Sequence, residues 1–167
     1  VLTLSAGDTF DQGPMVQLDL ADEAHKMIAD LARFAADQGA EILLEADPGA
    51  FIRGNRVAFA LALRNLLVNA VKHNPSPVRI VVKVRAGRKH HRVTVGDNGP
   101  GIPRRMQEHV FECFYSGNRE GRSGGAGIGL YLVQQNVLNM NGRIELVSDE
   151  GQGTTFTITL PAEREAG

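Results

Sequence analysis

The stretch GRSGGAGIGLYLVQQN, residues 121–136, passes from crowded glycines straight into an apolar pattern of helical spacing. Glycines at such a junction leave backbone N–H groups free at the start of a helix, where the aligned peptide dipoles favour a di- or triphosphate. The surroundings exclude two common phosphate-binding designs. There is no Gly-Lys-Ser or Gly-Lys-Thr, so this is not a P-loop. No strand leads into the glycines, so it is not a parallel-sheet dinucleotide fold. Taken singly, a linker ahead of a helix would look the same. The helix predicted from 127 to about 140 puts Leu130, Val133, Val137 and Met140 on one stripe.

Upstream, VQLDL (16–20) alternates weakly as a strand, and residues 21–39 read as a helix that is acidic in its first turn and stopped by Gly39. EILLEA (41–46) is a strand candidate, followed by a turn at DPG. A strongly apolar helix covers 55–73 and ends at NPSP. In the strand at 78–84, Val78, Ile80, Val82 and Val84 share a face, and in 91–97 Val93, Val95 and Asp97 do. The basic tip between them, RAGRKHHR, has no aromatic partner for bases and lies where a turn is needed, so it reads as a solvated hairpin loop. His90 and His91 point to opposite faces and have no third ligand, which argues against a metal site.

Residues 98–126 are irregular apart from a short helix around PRRMQEHVF. Strands at 143–148 and 154–160 close the chain around the turn DEGQG, with Phe156, Ile158 and Leu160 inward and Thr155, Thr157 and Thr159 outward. The pattern predicts an α+β fold, with helices on one face of a largely antiparallel sheet.

A chain of 167 residues with 43% hydrophobic and 22% charged residues suits one soluble domain. Its net charge of −1 gives no overall pull toward nucleic acid or an acidic membrane. No apolar run approaches the roughly 18 residues of a membrane span. The lone Cys113 has no partner for an internal disulfide, which fits a reducing compartment. The opening VLTLS, without an initiator Met, reads as part of something longer.

Three further places break the expected pattern. In the helix at 55–73, Asn65, Asn69 and Lys72 form a narrow polar stripe at spacings of four and three. Two of them are poor helix formers in mid-helix. Amide oxygens suit a hard cation such as Mg²⁺, and a lysine suits phosphate. Asp97 points to the apolar face, where a carboxylate is costly unless hydrogen-bonded. At the bottom of a slot it can accept from the exocyclic amine of adenine and would repel the carbonyl of guanine; as an Asx turn it would only shape the loop. Finally, GQGTTF (151–156) suffices as a hairpin turn, with a phosphate contact from Thr154 as the alternative.

In this order, these elements resemble the catalytic ATP-binding domain of sensor histidine kinases, from the superfamily that includes gyrase, mismatch-repair ATPases and heat-shock chaperone ATPases. RNLLVNAVKHNP (64–75) is similar to the N box and DNGPGIP (97–103) to the first glycine box. FECFY (111–115) is similar to the phenylalanine box, GGAGIGLYLV (124–133) to the second glycine box, and GQGTTFTITLP (151–161) to the last. The resemblance runs from about residue 15 to 161. It implies the Bergerat ATP-binding fold, a two-layer α/β sandwich with three main helices on one face of a mixed, largely antiparallel sheet. Residues 1–14 would end an upstream dimerisation segment or linker, 15–161 would form the catalytic domain, and 162–167 a tail.

The resemblance further implies ATP and Mg²⁺ as ligands. Asp97 would hold the adenine amine and Asn69 would coordinate Mg²⁺. Asn65 and Lys72 would lie beside the phosphates, and His73 near the adenine or ribose, where relatives often carry Tyr. Gly99, Gly101, Ile102, Ile128 and Leu130 would also bind ATP. Gly125, Gly127 and Gly129 would line the phosphate side. Residues 104–124 would form a lid anchored by Phe111 and Phe114.

Relatives that hydrolyse ATP typically carry Glu four residues before the Mg²⁺-binding Asn; here that position is Asn65, which cannot take a proton. The implied activity is therefore phosphoryl transfer to a histidine on a dimerisation domain absent from this chain. A non-catalytic nucleotide-gated interaction module is the alternative, and an ATPase the next. His25 sits in EAHKMIADL without the acceptor pattern and reads as a helix-surface histidine. The implied partners are the protein's own phosphoacceptor domain and, through it, a response regulator, with a homodimeric parent, no nucleic acid and no membrane insertion by this chain. The implied location is cytoplasmic. Asn55, where relatives often have Asp, reads as a helix cap. Gly96 replaces a usually bulkier residue.

Overall fold

A computed structural model describes residues 13–112 and 128–163. Its elements run β1 (Met15–Asp19), α1 (Leu20–Asp37), β2 (Ala40–Ala46), β3 (Phe51–Asn55), α2 (Arg56–Lys72), β4 (Val78–Arg85) and β5 (His90–Asp97). They continue with α3 (Arg104–Gln107), α4 (Ile128–Asn139), β6 (Arg143–Ser148) and β7 (Thr154–Pro161). Five strands form one sheet in the order β2-β4-β5-β7-β6, and β1 and β3 pair separately as a ribbon. Only β2 and β4 run parallel in the sheet, because α2 lies between them in the chain; the other neighbours are antiparallel. This is the mixed α+β architecture expected, with its helices on one face.

Alternation decides which face the helices cover. Val78, Ile80, Val82 and Val84 are buried, as are their neighbours Val93, Val95, Ile158 and Leu160. Against them α2 contributes Phe59, Leu63, Leu66 and Leu67, and α4 contributes Val133 and Val137, with Met140 just past its end. The opposite sheet face carries Arg79, Lys83 and Arg85, whose charges pair with Glu41, Glu45 and Asp47 in solvent. Thr159 departs from the expected outward exposure: it is buried, on a strand paired on both sides and in register with Arg92 of β5 and Arg143 of β6.

The helix starts are set locally. Asp19 accepts from the N–H groups of Ala21 and Asp22 at 3.0 and 3.4 Å, ending β1 and beginning α1. Asn55 caps α2 by accepting from the Ala58 N–H at 3.0 Å, and its amide donates to the Gly13 carbonyl at 2.9 Å, in line with the cap expected there. The sequence pattern did not reveal β3. Its five residues include Arg53 and Gly54 and are stabilised by pairing with β1, a partner more than 30 residues upstream in the register. Among the described residues, no helix is long and apolar enough to cross a membrane.

Candidate functional site

The C-terminal half of α2, the ends of β5 and β7, and the loop after β5 enclose a cleft. The cleft is small and open to solvent, with an enclosed volume of ≈ 70 Å³. Its apolar wall comes from Ala70, Val95, Pro100, Ile102 and Phe156. Its polar groups are Asn69, His73, Asn74, Asp97 and Thr154. A mostly apolar slot with a few convergent polar atoms can hold a flat heterocycle and read its edge.

Asp97 ends β5 half-buried, directly opposite Thr154 in the β5–β7 register. Its Oδ1 accepts from the Gly99 N–H at 2.9 Å, an Asx turn that orients the carboxylate. Among the described residues Oδ2 has no partner, so the cleft presents a fixed acceptor. Both readings of Asp97 are therefore compatible with the geometry: one oxygen shapes the loop and the other has no partner among the described residues. Gly99 lies under this turn, where any side chain would run into Asn74, whose own amide donates to the Ala70 carbonyl at 2.7 Å.

The loop is tied down from the other side. The Ile102 N–H donates to Ser148 Oγ at 2.7 Å, and the Gly151 N–H donates to the Pro100 carbonyl at 2.7 Å. Gln107 of α3 donates to the carbonyls of Ile102 and Ser148, at 2.8 and 2.9 Å. Gly101 has φ +77°, and a side chain there would strike the Asp149 carbonyl.

Of the candidates, Asn69, His73, Asp97, Gly101, Ile102 and Thr154 line the cleft together. Asn65 is half-buried one turn before Asn69, and Lys72 is exposed; neither lines it. Thr154 stands beside Asp97 with its hydroxyl 2.9 Å from Ser148 Oγ, a position at the Asp97 end of the cleft that does not favour the phosphate contact considered for it. Phe111 packs edge-on against Phe156 at 6.0 Å, beneath the cleft wall. Leu130 packs against the core, and Ile128 and Gly129 open α4. Phe114, Gly125, Gly127, Cys113 and most of the expected lid at 104–124 lie outside the described residues.

Sequence reasoning missed Ala70, Asn74, Val95, Pro100 and Phe156 as cleft residues. Val95 and Phe156 were findable, since each sits two residues along the strand from a candidate, on the same face. Ser148 carried no local signal.

Partial burial, and then the charge of Lys72, pull the His73 imidazole below its ordinary value of 6.5. Its folded value thus lies below its unfolded one, so its contribution to stability is complete above pH 6.5 and is lost as pH falls through the lowered value. A ¹H–¹⁵N titration should place His73 below 6.5, and His73→Gln should lose less thermal stability than wild type on acidification. Equal losses would contradict this account.

Gly129 has ordinary φ, and among the described residues nothing lies within 4 Å of where its Cβ would be. Gly129→Ala should therefore leave the melting temperature unchanged or raise it, by about 1 kcal/mol of helix propensity at most. A fall in nucleotide affinity without a fall in stability would show that the open space serves a ligand.

The hard-oxygen chemistry of a Mg²⁺ site is met in part by Asn69. Among the described residues no three His, Cys, Asp or Glu side chains gather as a metal cluster. A single amide oxygen in a mostly apolar slot fits Mg²⁺ held mainly by water and substrate phosphates.

The model of the family described as histidine kinase-, DNA gyrase B-, and HSP90-like ATPase matches residues 54–164. The chain is 34% identical over 144 residues to the sensor-like histidine kinase SenX3 of Mycobacterium tuberculosis, covering 85% of this chain and 34% of that one. The chain thus spans about a third of that relative's length. The solved structure of the mycobacterial sensor histidine kinase MprB superposes with a TM-score of 0.76 at 26% identity, covering 89% of this chain and 98% of that one. The ATP-binding domain of PrrB from Mycobacterium tuberculosis gives 0.74 at 26% identity, covering 91% and 100%.

Proposed function

Because the chain belongs to the histidine kinase-, DNA gyrase B- and HSP90-like ATPase family, we propose that it is the ATP-binding catalytic domain of a sensor histidine kinase. The γ-phosphate would pass to a histidine on a dimerisation domain outside this chain. The observation that carries the reading is Asp97: a carboxylate on the cleft floor, one oxygen fixed by Gly99 and the other facing the slot. That arrangement takes an amine-bearing base. The ATP-binding relative PrrB and the histidine kinases SenX3 and MprB support both halves of it.

In this reading Asp97 receives the adenine amine, Val95, Ile102 and Phe156 sandwich the ring, and His73 stands at its edge. Asn69 would hold Mg²⁺, which would supply neutralisation of phosphate charge. Asn65 and Lys72, just outside the cleft, border the phosphate path. The chain's contribution to transfer is positioning and the exclusion of water. The acceptor imidazole nitrogen bonds to the γ-phosphorus as the bond to ADP breaks, and the neutral ring needs little help from a base. Asn65 offers none, which suits transfer better than hydrolysis. Residues 15–161 would form the catalytic domain, and 1–14 the end of an upstream dimerisation segment or a linker. A need for ATP supports a cytoplasmic location for the domain. A response regulator would then receive the phosphate.

The test supplies a dimerisation domain in trans with γ-labelled ATP. Acid-labile, alkali-stable label on that domain, absent with Asp97→Asn, is expected. Nucleotide binding without any label would turn the reading to a nucleotide-gated interaction module, and steady phosphate release by the chain alone would turn it to an ATPase.

A further inference from the structure

Ser148 is the last residue of β6, is buried, and pairs with Thr154 in the β6–β7 register. Its hydroxyl meets three polar groups: the Ile102 N–H at 2.7 Å, the Gly153 carbonyl at 3.0 Å and Thr154 Oγ1 at 2.9 Å. A hydroxyl has one proton to give and two lone pairs to receive with. The Ile102 N–H can only donate and the Gly153 carbonyl can only accept. The Ser148 proton therefore goes to Gly153, and the contact with Thr154 is made by the Thr154 proton. All three positions of Ser148 Oγ are then filled.

The consequence lies one residue away, in the cleft. With its proton committed to Ser148, Thr154 shows its neighbours lone pairs only. Asp97, directly across the ladder, is an acceptor as well. We propose that Ser148 is a specificity-determining positioning residue: by fixing the Thr154 hydroxyl it makes the cleft floor acceptor-only, selecting an amine-bearing base over a carbonyl-bearing one. The proposal rests on the nucleotide reading of the same cleft. A freely rotating threonine hydroxyl would donate to a carbonyl oxygen and soften the discrimination that Asp97 begins. Ser148 removes that option, and does so from outside the cleft lining.

Ser148 also anchors the loop through Ile102, so its loss has a second effect that must be separated. A loosened loop weakens every nucleotide alike; a freed Thr154 hydroxyl changes the ratio between two bases. The experiment measures calorimetric affinities of wild type, Ser148→Ala, Thr154→Val and the double variant for ATP and for GTP. Wild type is expected to prefer ATP, and Ser148→Ala to lower that preference about tenfold, the scale of one hydrogen bond. In the Thr154→Val background the same substitution should leave the ratio where it is, since the hydroxyl it acts through is gone. Ser148→Thr, which keeps a hydroxyl, should restore the preference. Should Ser148→Ala not fold, Ser148→Cys, with a weak donor and acceptor, makes the same comparison. An unchanged ratio, or an equal change in both backgrounds, overturns the assignment while the nucleotide site stands. Wild type binding both nucleotides equally does so too. Wild type binding neither removes the nucleotide reading and this assignment with it.

Discussion

Asp97→Asn is expected to weaken ATP binding by about 3 kcal/mol, on the order of 100-fold, with the fold intact. The carboxylate accepts from the Gly99 N–H through Oδ1, and in the proposed reading it would accept from the ligand through Oδ2. Asparagine has one oxygen. If it accepts from Gly99, its amide N–H₂ faces the adenine amine, donor against donor. If it turns over to receive the amine, it sets the same conflict against Gly99. Either orientation forfeits a charge-assisted bond as well. Thermal stability should change little, because the Asx turn survives in the first orientation. The chain has no tryptophan to report binding, so calorimetry is the appropriate measurement. Undiminished affinity in the variant would mean that Asp97 only shapes its loop, and the adenine assignment would fall.

Gly153→Ala should cost about 3 kcal/mol or more, lowering the melting temperature by roughly 10 °C. Gly153 has φ +89°, and a side chain there would drive into the Asp97 carbonyl and toward Asn98. The backbone that carries the cleft carboxylate would have to move, because neither the ladder nor the turn can yield cheaply. Gly151 provides the control in the same turn. Its φ of +82° is equally left-handed, yet nothing lies within 4 Å of its missing Cβ. Gly151→Ala should lose only the conformational term, about 1–2 kcal/mol. Differential scanning calorimetry of the pair separates crowding from backbone strain. Equal losses would show that the close approach of β7 to Asp97 is slack, and nucleotide affinity in Gly153→Ala should then be normal.

Much of the site was legible because its chemistry is written in short stretches. Asn69 and His73 are one turn apart on a single helix, and Asp97 follows Val95 at strand spacing, so each could be placed on a face before any fold was known. Asn55 was readable as a cap for the same reason: the bond it makes is to a residue three positions on. What failed was whatever depended on a distant neighbour. Thr159 alternates outward as expected, yet strands on both sides bury it. The short β3 has little strand character of its own and exists through β1. Asn65 and Lys72 share the stripe of Asn69, but helical geometry alone could not say where the cleft would end along it.

Most of the elements, the apolar faces of the helices and main strands, and the order of residue types able to bind a nucleotide were set by the sequence alone, because these follow from periodicity and local capping. Only the tertiary structure decided that Ile102 and Ser148, 46 residues apart, would be hydrogen-bonded. It also decided that Thr154 would stand opposite Asp97 with its hydroxyl 2.9 Å from Ser148 Oγ. Those relations arise from register between strands and from a loop pressed onto a turn. Their energies come from burying polar groups together, which no stretch of chain can do alone.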